Sequence, residues 1–90
     1  MSLKNQDLFK TADFNLVAFL LASGLVLVDA QLGPERKIHF AFEDPTRCAE
    51  LARAFCSGAA TVPARALIES QQRLRDLRDV LISMSHKVRL

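Results

Sequence analysis

Tryptophan and tyrosine are missing from this 90-residue chain, and its aromatic content is six phenylalanines. All six fit apolar core positions, so platforms for stacking bases are not provided. Glycine occurs three times, as Gly24, Gly33 and Gly58, each alone and each at the end of an expected element. A glycine-rich loop that would cradle phosphate is therefore excluded. The two cysteines, Cys48 and Cys56, match neither a CxxC pair nor a zinc-ligand spacing. On one helix they would stand about 12 Å apart, too far for a disulfide. Both are expected to be small buried hydrophobes of a reduced protein. The longest apolar run, Leu16 to Ala22, is too short to cross a membrane, and the N-terminal MSLKNQDLFK is polar and unlike a signal peptide. A soluble cytoplasmic chain with no membrane contact is the expectation.

Half of the residues are hydrophobic and 24% are charged, which is a globular composition. A chain this short makes one domain at most, and so small a core hides its apolar surface poorly. That favours an oligomer. The net charge is +2. Residues 61–90 carry six Lys or Arg against three Asp or Glu, and residues 1–60 carry six against seven. This mild asymmetry suits a solvated helix face better than a polyanion patch.

Residues 1–7 read as a loose arm, residues 8–85 as the domain and residues 86–90 as a tail. Leu8 to Thr11 reads as a short strand. Asp13 is placed to cap a helix from Phe14 to Ser23, which Gly24 stops. That helix is apolar nearly all round, so burial on more than one side is expected. LVLVDAQ, Leu25 to Gln31, reads as a strand, and LGPER as a turn. Lys37 to Glu43 reads as the next strand, antiparallel to the last. In it Ile38, Phe40 and Phe42 share one face, while His39, Ala41 and Glu43 share the other. Asp44-Pro45 is a helix start, and that helix runs to Gly58. Its apolar stripe is Cys48, Leu51, Ala52, Phe55 and Cys56. Thr61-Val62-Pro63 starts a last helix reaching about Ser85. The predicted fold is α+β: a small, mostly antiparallel sheet of about three strands in the order β-α-β-β-α-α, with helices on one face and a long C-terminal helix.

The last helix carries a seven-residue spacing at Leu67, Leu74, Leu81 and Val88, with Ser70, Leu77 and Met84 between. Such a seam packs on its own domain or against the same helix of a second chain. The second reading makes Leu67, Leu74, Leu77, Leu81 and Met84 an oligomer interface. Arg73 and Arg78 flank the seam, which favours an antiparallel or crossed pair.

The chain resembles a family of short bacterial and phage-associated domains of unknown function. The resemblance rests on Phe9, Thr11 and Asp13 at the strand-to-helix joint, and on Ala18, Leu20 and Gly24 in the helix. It continues with Phe40, Phe42 and Asp44 at the strand end, and Val62 and Pro63 before the last helix. It covers roughly residues 8–78. It implies a small intracellular domain of this fold and transfers no catalytic residue.

No catalytic constellation is visible. His39 lies on the polar face of its strand, His86 lies in the tail, and both cysteines fall on a core stripe. Glu43 and Asp44 are adjacent, so their side chains diverge, and Asp44 is a cap. No metal cluster or cofactor site is indicated. The expected function is a non-catalytic, homodimeric protein-interaction module using the long helix, with a further protein partner open. The alternative is a nucleic-acid-binding accessory protein, with Lys10, Lys37, Arg73, Arg75 and Arg78 as phosphate contacts.

Overall fold

The computed structural model describes residues 8–88, with side chains through Met84. Expectations for the arm at residues 1–7 and for the side chains of His86 and Val88 lie outside the described residues. Six principal elements follow in the predicted order: β1 (Phe9–Thr11), α1 (Phe14–Ala22), β2 (Leu27–Leu32), β3 (Ile38–Phe42), α2 (Pro45–Ser57) and α3 (Ala64–Val88).

Local chemistry sets the boundaries. Asp13 caps α1, its Oδ1 accepting from the backbone N–H groups of Asn15 and Leu16 at 3.1 and 3.2 Å. The helix closes through Gly24, at φ 94°. The Gly24 N–H donates to the Leu21 carbonyl and the Leu25 N–H to the Leu20 carbonyl. This paired closure holds Leu25 in the turn. The strand expected from Leu25 therefore begins at Leu27 and runs to Leu32. Asp44 caps α2 by accepting from the Arg47 N–H at 3.2 Å. Gly58, at φ 80°, ends that helix by donating to the Ala54 and Phe55 carbonyls.

β3 is the middle strand of an antiparallel sheet ordered β1-β3-β2. Phe9 pairs with Phe42 and Thr11 with Phe40 on one side, and Ala30 pairs with Phe40 and Leu32 with Ile38 on the other. The register shifts between Leu27 and Asp29, leaving Val28 as an extra residue at a bulge. One sheet face is apolar: Ile38, Phe40 and Phe42 are buried, and Phe9, Leu27, Ala30 and Leu32 pack around them. The opposite face carries Lys10, Asp29, Gln31 and His39, with Ala41 buried beneath them.

The helices cover the apolar face. α2 lies against β1, α3 against β2, and α1 packs between α2 and α3. The all-round apolar character of α1 follows from this place: Leu16 through Leu20 are all buried. All six phenylalanines belong to the core or its margin. The Phe19 and Phe55 rings stack with centroids 5.4 Å apart.

Two expectations change. Cys48 is buried, but Cys56 is exposed. At about 100° per residue, Cys56 lies one step past Phe55 and off the stripe of Cys48, Leu51, Ala52 and Phe55. Leu74 is only 1% exposed and belongs to the chain's own core, and Ser70, one turn before it, is buried as well. The middle of the α3 seam is thus occupied by α1 of the same chain.

Candidate functional site

α3, at 25 residues, is the longest described element, against nine in α1. Leu67 borders a groove with Phe19 near the end of α1, and the Arg78 guanidinium lies 5.8 Å from the centre of the Phe14 ring at its start. The two helices are therefore antiparallel. Arg78 thus stands beside the start of α1. Three residues later, Leu81 still packs against the core cluster.

The five seam residues are placed differently. Leu74 is consumed by the core. Leu67, Leu77 and Leu81 pack against it and remain partly exposed, and Met84 is 56% exposed. Leu77, Leu81 and Met84 fall on one helical face at the distal half of α3. Val80 joins them and is 53% exposed. Its signal in the sequence was its spacing, three residues after Leu77 and four before Met84. The heptad pattern passed over it.

The five basic residues do not form one track. Lys10 stands on the outer face of the sheet, away from the helices. Arg73 and Arg75 are two residues apart on α3 and so point about 160° apart. Arg75 donates to the Gln72 side chain at 3.5 Å, and Arg78 lies 3.7 Å from Asp79 while covering Phe14. Lys37 is exposed at the tip of the β2–β3 hairpin. A phosphate backbone would have to contact both sides of the molecule to meet all five.

The concavities carry little chemistry. One, about 380 Å³, lies over the outer sheet face between Lys10, Asp29, Gln31 and His39. The Gln31 amide donates to Asp29 at 2.9 Å. Another, about 440 Å³, is the apolar groove between Phe19, Phe55, Val62 and Leu67. Among the described residues no three His, Cys, Asp or Glu side chains converge as metal ligands. The Cys48 Sγ lies 3.3 Å from the Glu43 carbonyl, to which it donates. Burial, and then the nearby Asp44 charge, push its thiol above the ordinary value. That makes it a poor nucleophile. No described helix is long and apolar enough to cross a membrane.

No curated protein and no solved structure matches the chain. A family model described as a domain of unknown function, DUF5659, matches residues 6–80. With its sheet, helical layer and most of α3 inside that match, the chain belongs to the DUF5659 family of domains of unknown function.

Proposed function

We propose that this domain is a non-catalytic protein-interaction module that associates with a second copy of itself through the distal half of α3. The observation that carries this reading is the apolar strip of Leu77, Val80, Leu81 and Met84. Val80 and Met84 are each more than half exposed, beyond the point in α3 where Arg78 meets the start of α1. Covering a half-exposed Val or Met contributes about 1 kcal/mol per side chain. The strip offers several such side chains on each copy. Leu67 and Leu74 are left to the fold of the single chain. A cytoplasmic, bacterial or phage setting belongs to the same proposal and rests on the family resemblance.

Light scattering coupled to size-exclusion chromatography tests it. The wild-type chain is expected at twice its formula mass. A Val80→Glu/Met84→Glu variant is expected at the single mass with an unchanged circular dichroism spectrum, since both side chains are exposed. A wild-type chain of single mass, or a double variant that remains a dimer, overturns the reading.

A further inference from the structure

We infer that the second copy docks along the β2 flank, so that β2 pairs antiparallel with the β2 of the other chain and two three-stranded sheets become one of six strands. This rests on the self-association proposed above and specifies its geometry.

β2 is an edge strand, paired on one side only among the described residues. Past the bulge at Val28, the outward backbone groups of residues 29–32 form a template for another strand. Val28, the extra residue at the bulge of this strand, is 43% exposed and is not used by the core. The other edge, β1, is only three residues long. Each described sheet thus offers one pairable edge, and association closes at two chains.

The helical layer agrees. α3 is the helix that lies over β2. Arg78 faces α1, where it covers Phe14. Val80, two residues on, is about 200° further round the helix and so faces away from α1. The apolar strip and the open strand edge therefore share one flank of the molecule. A two-fold axis that sets the β2 strands antiparallel also sets the α3 helices antiparallel. α3, which borders that flank, is roughly 37 Å long.

Charge selects the register. Centring the axis on Asp29 would set two carboxylates opposite one another, which is destabilising. Centring it on Ala30 sets Asp29 against Gln31 of the second copy, an acceptor against an amide donor. The same pair of groups already bonds at 2.9 Å within the strand.

Hydrogen exchange below and above the dissociation midpoint tests the geometry. Amides of both β2 and distal α3 are expected to slow by roughly tenfold or more on dimerisation. Gln31→Asp should weaken the dimer about tenfold by facing Asp29 of the other chain, and Asp29→Asn/Gln31→Asp should restore it. A dimer in which α3 alone gains protection, or one indifferent to Gln31→Asp, overturns the inference and leaves the α3 reading standing. A monomer overturns both.

Discussion

Cys48 and Asp44 show how individual residues hold the β3–α2 joint. Asp44 sits at φ 61° and ψ 65°, a left-handed conformation that Asp tolerates better than most residues. It caps α2 from there, and its charge raises the pKa of the buried Cys48 thiol further. The folded chain keeps the Cys48 proton after the unfolded chain has lost it. This contribution to stability is complete below the unfolded thiol value, about 8.5. It is lost as pH rises beyond that value. Cys48→Ala removes the effect and leaves a small cavity, which costs about 1 kcal/mol at neutral pH. The gap between wild type and Cys48→Ala in urea unfolding is expected to narrow from pH 7 to pH 10. A gap constant over that range would contradict the assignment. Asp13 and Asp44 were legible as caps because capping is written in two or three neighbouring residues. The exposure of Cys56 was not, because helix spacing alone does not say where a stripe's margin lies.

Among the elements, the β2–β3 hairpin departs most from the preferences of its own residues. Glu35 and Arg36 both have positive φ, 61° and 60°. The Lys37 N–H donates to the Pro34 carbonyl at 3.2 Å across them. Two positive φ values in the middle of a tight turn match the type I′ geometry that suits a hairpin's twist. Asn-Gly fits that geometry, whereas Glu-Arg is strained by ~1–2 kcal/mol at each position. Replacing Glu35→Asn and Arg36→Gly is expected to stabilise the chain by about 1–2 kcal/mol, after the added backbone entropy of glycine. The check is a higher urea midpoint at unchanged slope. Gly33 and Pro34 announced a turn but not its type, because the turn's hand is set by the twist of the strands it joins.

At the scale of the whole molecule, the three helices lie in the order α2, α1, α3 over strands β1, β3, β2. The α3 seam divides accordingly. Leu74→Ala is expected to cost about 2–5 kcal/mol, as for other fully buried leucines. Met84→Ala is expected to leave monomer stability within about 0.5 kcal/mol while weakening self-association. Thermal or urea unfolding in dilute solution separates the two. Equal costs would mean that α3 is not divided between core and flank. A heptad reading could not make this division. Its repeat describes which side of the helix is apolar, and both the chain's own α1 and a second copy satisfy that description.

The order of elements, the two capping aspartates, the antiparallel hairpin and the inward face of β3 were determined by the chain alone. Each depends on side chains a few residues apart, or on a period of two. The central place of β3, the bulge at Val28, the burial of Leu74 and the exposure of Val80 were set only on folding. These depend on which strand and which helix become neighbours across the chain. Such contacts form between segments distant in sequence, whose pairing no local pattern records.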